Sequence, residues 1–224
     1  MSKQKTIAVA IVLALVLIIG GMLAYFTDTD TRTNVFSLGD NIEISLSETG
    51  WTNSSGTNYT RTEANGIHPG TTVAKDPTIS NDSTTTPAYV FAEIIVPCYA
   101  SSGSTVDSPV FKLLDENGTA LGTTVGSAGN TGWTLISVSS IDTTNKQIKY
   151  VYAYGTTSAM TSLAQGTSTS KPVFSEVQVE PTLTAAQKAT APANPNITVN
   201  AYGIQTDGLS TTTPSAIFAL FSNS

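Results

Sequence analysis

The sequence predicts an all-β fold, a two-sheet antiparallel sandwich of jelly-roll type with a few short helices. Three observations carry this prediction. Charged residues make up only 12% of the chain and hydrophobic residues 40%, which is enough apolar material for a core. The remainder is rich in Ser, Thr, Gly and Asn, which suit strands and turns. Short stretches of alternating polar and apolar residues recur without the strand–helix–strand rhythm of a parallel α/β sheet.

The first 24 residues have the layout of an export signal. Two lysines precede an unbroken apolar run from Ile7 to Ile19, and the small residue Ala24 stands where a signal peptidase would cut. A helix extended to Leu23 would be about 25 Å long, against roughly 30 Å for the hydrocarbon core of a bilayer. We therefore predict a cleaved N-terminal signal helix at 1–24, with the cut between Ala24 and Tyr25. The alternative is an uncleaved membrane anchor.

The next stretch, residues 25–36, is predicted to be an extended N-terminal arm. Threonines occupy alternate positions, which places them on one face of an extended chain. Thr and Asp are poor helix formers. Two interpretations are open: the arm is a donor strand for another sheet, or it is a flexible leader that tethers the domain. The residues assigned to the arm are Tyr25, Phe26, Thr27, Thr29, Thr31, Thr33, Val35 and Phe36.

Residues 37–224 are predicted to form a single β-sandwich domain. The segment Ala88–Val96 is apolar on both faces, which is typical of a strand in the middle of a sandwich. We expect a loop from Cys98 to Pro109. The alternating tyrosines of the strand Ile148–Tyr154 are interpreted as a packed sheet face, with a binding platform as the alternative. Further strands are expected at Ile42–Leu46, Thr71–Asn81 with an interruption at Pro77, Ile148–Tyr154, Val173–Val179 and Ile197–Thr206, and short helices at Leu183–Thr190 and Ser215–Phe221.

The motifs of common enzymes are missing from the sequence. His68 is the only histidine, and it lies beside the turn Pro69-Gly70 with no H-E-x-x-H or G-x-S-x-G element. Phosphate-binding loops are missing as well. Asp28-x-Asp30 resembles the start of a calcium loop, but Arg32 stands where an oxygen ligand is needed. We therefore expect no enzyme activity, no catalytic residues, no metal and no cofactor.

Charge and cysteine content limit the partners. The formal net charge is −6 and no run of Lys or Arg occurs, so nucleic acid is not an expected partner. Cys98 is the only cysteine, which excludes an intramolecular disulfide. We interpret it as a small buried hydrophobe, with intermolecular pairing as the alternative.

Four stretches of the sequence together form a recognisable pattern. The first is L-A-Y-F-T-D-T-D-T-R-T-N-V-F-S-L-G from Leu23, followed by N-I-E-I-S-L-S-E and Trp51. The others are Pro69–Asn81, Ala88–Pro97 and Ile197–Leu209. This pattern resembles the TasA/camelysin family of Gram-positive bacteria.

The resemblance implies an exported protein that is processed by a signal peptidase of the SipW type and has a jelly-roll body. TasA-like members assemble into extracellular fibres of the biofilm matrix, in which the N-terminal segment of one subunit completes the sheet of the next. A minor fibre-accessory protein is a further partner that it implies. Camelysin-like members are classed as surface metallopeptidases, but no motif in this sequence supports that chemistry.

The expected function is therefore a secreted structural protein, located in the extracellular matrix or at the cell surface, whose main partner is itself. Strand addition supplies main-chain hydrogen bonds, and a head-to-tail contact that does not close produces filaments. Contact with a membrane is expected only through the signal segment before cleavage. The first alternative is a monomeric cell-surface adhesion module anchored by an uncleaved helix from Ile7 to Leu23. The remote alternative is a camelysin-like surface metallopeptidase.

Overall fold

The computed structural model describes residues 27–30, 42–48, 68–100, 107–192 and 195–221. The predicted signal segment, its cleavage site and most of the arm lie outside these ranges. In the part of the chain that is described, no helix is long and apolar enough to cross a membrane. The described elements are β1 (Thr27–Asp30), β2 (Ile44–Glu48), β3 (Thr72–Ala74), β4 (Pro77–Asn81), β5 (Ala88–Ala100), β6 (Asp107–Pro109), β7 (Phe111–Leu114), β8 (Trp133–Val138), β9 (Gln147–Tyr154), β10 (Thr167–Ser168), β11 (Glu176–Val179), α1 (Ala185–Lys188), β12 (Thr198–Gln205) and α2 (Pro214–Phe218).

The larger sheet forms one layer of the domain. Its strands follow the order β1-β12-β5-β9-β8, and β6 pairs with the end of β5. Every pairing in it is antiparallel. A β-bulge between Leu135 and Ser137 interrupts the register of β8 against β9. This all-antiparallel arrangement confirms the predicted all-β class.

Two three-stranded sheets together form the opposite layer. Their orders are β10-β4-β2 and β3-β11-β7. Backbone hydrogen bonds join them: Lys75 N donates to Ser175 O at 3.0 Å, and Val173 N donates to Pro77 O at 3.0 Å. The chain from β3 through β4 thus runs antiparallel to the chain from β10 through β11. Two layers result, as expected, while the jelly-roll connectivity stays a prediction.

The main core lies between the two layers. Ile79 of the smaller layer and Ile94, Trp133 and Tyr152 of the larger sheet are almost completely removed from solvent. Tyr150 belongs to the same buried cluster. The tyrosine row of β9 is therefore a packed sheet face, as the alternation predicted. Burial of aromatic side chains of this size dominates core energetics.

A second apolar cluster covers the outer face of the larger sheet. The C-terminal helix α2 packs there, with Ile217 fully buried. Phe218 and Phe221 lie with their ring centroids 5.3 Å and 5.9 Å from that of Phe91 on β5. The apolar tail predicted at Ser215–Phe221 does pack back on the sheet. The other helix, α1, begins at Thr184, whose hydroxyl accepts from the backbone N–H of Gln187, a capping box that explains its start.

One expectation was wrong. Residues 98–109 are not a single loop, because β5 continues through Cys98 to Ala100 and β6 returns beside it. Pro97 lacks a backbone N–H, which suggested the end of a strand. The strand continues because the chain around β6 pairs with it: Val110 N donates to Pro97 O at 2.8 Å, and Cys98 pairs with Pro109. The Cys98 N–H still donates to Lys146 O at 2.8 Å, next to β9. The interruption expected at Pro77 is confirmed, since it separates β3 from β4.

Candidate assembly edge

The arm contributes one described strand, β1, which lies at the edge of the larger sheet. It pairs antiparallel with β12 of the same chain. The pairing uses four of the eight residues of β12. The backbone register is Thr27 with Ile204, Asp28 with Gly203, Thr29 with Tyr202 and Asp30 with Ala201. In this register the two threonine positions of β1 lie opposite Ile204 and Tyr202 of β12.

The inner side of β12 packs unusually closely on β2. Ala201 is fully buried between the layers. A Cβ atom placed on Gly203 would lie 2.7 Å from Cγ2 of Ile44 and 3.3 Å from Cγ2 of Ile42. Glycine at 203 therefore lets β2 approach the backbone of β12 directly opposite the point where Asp28 pairs. An isolated glycine inside a strand is the usual mark of such an approach.

The outer side of β12 is held by aromatic packing. The Tyr202 ring lies 5.4 Å from Phe218 in an edge-on arrangement and 5.3 Å from Phe221. Ile204 is buried in the same cluster. Edge-to-face aromatic pairs of this spacing contribute about 0.5–1.5 kcal/mol beyond their burial. The C-terminal segment thus fixes β12 from outside while β2 fixes it from inside.

A polar network closes the outer face next to the aromatic cluster. Glu93 accepts hydrogen bonds from Asn200 Nδ2 at 3.0 Å and from the Tyr202 hydroxyl at 3.5 Å. Lys149 Nζ lies 3.6 Å from the second oxygen of Glu93. Burial, followed by the negative charge of Glu93, raises the pKa of Tyr202 to about 12. The phenol is therefore a neutral donor at physiological pH, and the network ties β12 to β5.

The other residues assigned to the arm and the cut lie outside the described residues. These are Ala24, Tyr25, Phe26, Thr31, Thr33, Val35 and Phe36. Of the residues assigned to the arm, the structure places the backbone of Thr27 and Thr29 alone, both in β1 and paired with β12. Their role in polymerisation stays a prediction.

The residues that could take part in catalysis or metal binding do not form a common site among the described residues. His68 is exposed, and its backbone N–H and C=O are used in the turn to Thr71. Cys98 is fully buried in β5, as its interpretation as a small hydrophobe predicted. Within the described ranges, no group of three or more His, Cys, Asp or Glu residues is arranged to hold a metal ion.

Comparison with known proteins gives one match. A family described as camelysin metallo-endopeptidase matches residues 2–94. This confirms the resemblance to the TasA/camelysin family over the part of the chain that reaches from the predicted signal into β5. No curated protein and no solved structure matches the chain.

Sequence reasoning did not identify β12 as the partner of the arm. Two signals for it were present. Gly203 interrupts the apolar pattern of Ile197–Thr206, which marks a close backbone approach. The apolar C-terminal tail indicated that one face of a sheet needed a cover. Neither signal names the partner strand, because strand pairing depends on contacts far apart in sequence.

Proposed function

We propose that the mature protein is a secreted structural subunit that polymerises head to tail, with the arm of one copy paired on β12 of the next. The observation that supports this is the antiparallel pairing of β1 with β12. It supports both halves of the proposal, since residues of the arm form a strand and an edge of the same domain accepts that strand. The resemblance of the N-terminal part of the chain to the camelysin/TasA family agrees with this proposal, and it rests on the family match.

Exchange of the arm between copies would keep the same backbone hydrogen bonds between β1 and β12. Each β12 keeps an identical partner, so the swap itself has little cost in bonding. The connection between β1 and β2 is residues 31–43. Thirteen residues span at most roughly 43–47 Å when extended, which is enough for β1 to reach a neighbour while β2 stays in its own domain. A strand that is donated in one direction only does not close a dimer, and it produces filaments.

Export and processing complete the proposal. Cleavage between Ala24 and Tyr25 by a signal peptidase of the SipW type would free the arm, and the product would act in the extracellular matrix or at the cell surface. N-terminal sequencing of the native protein tests this step. A start at Tyr25 supports it, whereas an intact N-terminus supports the alternative of a monomeric adhesion module held by an uncleaved helix.

Cysteine cross-linking between two single variants tests the exchange directly. Thr29→Cys and Tyr202→Cys are placed at positions that pair in the register of β1 on β12. The two mature proteins are mixed, assembled and oxidised. Exchange in trans predicts a covalent dimer that contains one copy of each variant, because neither protein alone carries the full pair.

The matched control shifts the cysteine by one residue. Position 28 pairs with Gly203, so Asp28→Cys is one residue out of register with Tyr202→Cys, and successive positions of a strand alternate between its two faces. The native Cys98 is buried and present in every protein, so the unmodified chain gives the background. Filaments without a 29–202 dimer, or with equal yield from the 28–202 mixture, would contradict this pairing.

A second candidate function is a metallo-endopeptidase, because the matching family carries that description. A zinc peptidase needs several nitrogen, sulfur or carboxylate ligands around an open position. The described residues do not supply such a set, and His68 is exposed on a turn. Casein hydrolysis by the purified mature protein, lost with a chelator and restored by zinc, would support this function. The His68→Ala variant shows whether that histidine takes part.

A further inference from the structure

An aromatic cleft opens between the two layers, on the side of the domain away from β1. β9 forms one wall and β7 the other. The cleft has a volume of about 380 Å³, within the range of pockets that bind small organic molecules. Its apolar lining comes from Tyr99, Phe111, Leu113, Leu121, Tyr150 and Tyr152.

Two of the phenols that line this cleft are buried. Tyr150 and Tyr152 are 4% and 1% exposed, and both line the cavity. Neither phenol oxygen has a hydrogen-bond partner among the residues that the structure describes. Burial raises the pKa of Tyr150 to about 12 and that of Tyr152 further. Both are therefore hydrogen-bond donors at physiological pH, and a buried donor without an acceptor is a costly arrangement.

The charges around the cleft cancel each other. Of the residues that line it, Lys112 and Glu180 carry charge, and their Nζ and Oε2 atoms lie 3.1 Å apart. Glu180 also accepts a hydrogen bond of 2.8 Å from the Thr182 hydroxyl. Since each charge has a partner at the rim, the cleft offers no free charge to an ionic ligand. Its chemistry favours an uncharged guest.

We propose that this cleft binds an uncharged molecule with a flat aromatic body and a carbonyl oxygen that accepts hydrogen bonds from Tyr150 and Tyr152. The aromatic and leucine side chains exclude water from the body of the guest, and the phenols set its orientation. In the larger sheet β5 lies between β12 and β9, the strand that forms a wall of the site. It therefore does not depend on the exchange of the arm.

Fluorescence of 6-propionyl-2-(dimethylamino)naphthalene tests this site on the mature protein. This uncharged probe carries one ketone oxygen, and its emission shifts to the blue when it leaves water. We expect saturable binding with a blue shift. In the Tyr150→Phe/Tyr152→Phe variant the rings remain but the donors are lost, so the Kd should rise about tenfold or more.

Two further variants separate the cleft from other apolar surfaces. Leu113→Trp fills the cavity and should abolish saturable binding. Tyr89→Phe removes a phenol on the opposite face of the sheet, in the cluster beneath α2, and should leave the Kd unchanged. The proposal is overturned if the probe shows no saturable blue shift, if the double phenylalanine variant binds as tightly as the unmodified protein, or if Leu113→Trp still binds.

Discussion

Gly203→Ala should destabilise the native state, because the strand that receives the arm has no room for a methyl group. The added Cβ would lie 2.7 Å from Cγ2 of Ile44 and 3.3 Å from Cγ2 of Ile42. Carbon atoms pack best at about 3.5–4.0 Å, so β2 must move by roughly 1 Å. Overpacking of this kind costs about 1–3 kcal/mol. The same movement widens the layers directly opposite Asp28 of the arm.

Urea unfolding of the mature protein at concentrations where it is monomeric measures this cost. Trp133 is buried in the core, so tryptophan fluorescence reports the transition. With a slope of about 2 kcal/mol per molar urea, the midpoint should fall by about 0.5–1.5 M while the slope stays unchanged. A changed slope would indicate a change in the compactness of one of the two states.

A double-mutant cycle separates the clash from a general loss of stability. Ile44→Ala alone should cost about 2–5 kcal/mol by leaving a cavity. Gly203→Ala in that background fills part of the cavity, so its cost should shrink or change sign, with a coupling of at least about 1 kcal/mol. The close-packing argument is refuted if Gly203→Ala is neutral within about 0.5 kcal/mol, or if the two substitutions are additive.

Three further predictions follow from buried polar groups. Tyr152→Phe should raise the free energy of unfolding by about 1 kcal/mol, because it removes a buried donor without a partner among the described residues; destabilisation in a urea titration would contradict this. The raised pKa of Tyr150, about 12, stabilises the fold below pH 10, and the gain is lost as the pH rises toward 12. The slope is about 1.4 kcal/mol per pH unit for each such tyrosine, measurable by phenolate absorbance alongside unfolding. Glu48→Gln should cost about 1–3 kcal/mol, since Glu48 meets the buried Lys75 at 2.6 Å, whereas Glu116→Gln at an exposed ion pair should change the midpoint little.

Strands with a local signature were predictable from the sequence. The largely apolar segment Ala88–Val96 became the centre of the larger sheet, and the alternation around Tyr152 became a buried face. Both patterns are local, because they lie in consecutive residues. The period of their apolar side chains is therefore enough to predict a strand. The continuation of β5 through Cys98 was missed because it depends on β6, which pairs with the part of β5 that follows Pro97.

The partners of each strand were not predictable in the same way. No residue near Thr27 indicates that β1 pairs with β12, which lies near the other end of the chain. The cleft was not predicted either, because its walls come from β7 and β9, and the sequence favoured a packed sheet face for the tyrosines of β9. Contacts between residues far apart in the chain decide which strands pair and which face each other across the core. A single sequence gives little indication of such contacts.

The two edges of the larger sheet are covered in different ways, and the difference bears on the proposed exchange. At the opposite edge, β8 is covered by its own loop, since Gly126 N donates to Leu135 O at 2.8 Å and Leu135 N donates to Ser127 O at 2.9 Å. That edge cannot accept a strand without first losing local hydrogen bonds. β12 is covered instead by β1, a short segment joined to β2 through residues 31–43. In the proposed polymer, an identical segment from a second copy takes its place with the same register. Exposed edges favour unspecific pairing, so a cover that the chain itself supplies also protects β12 before exchange.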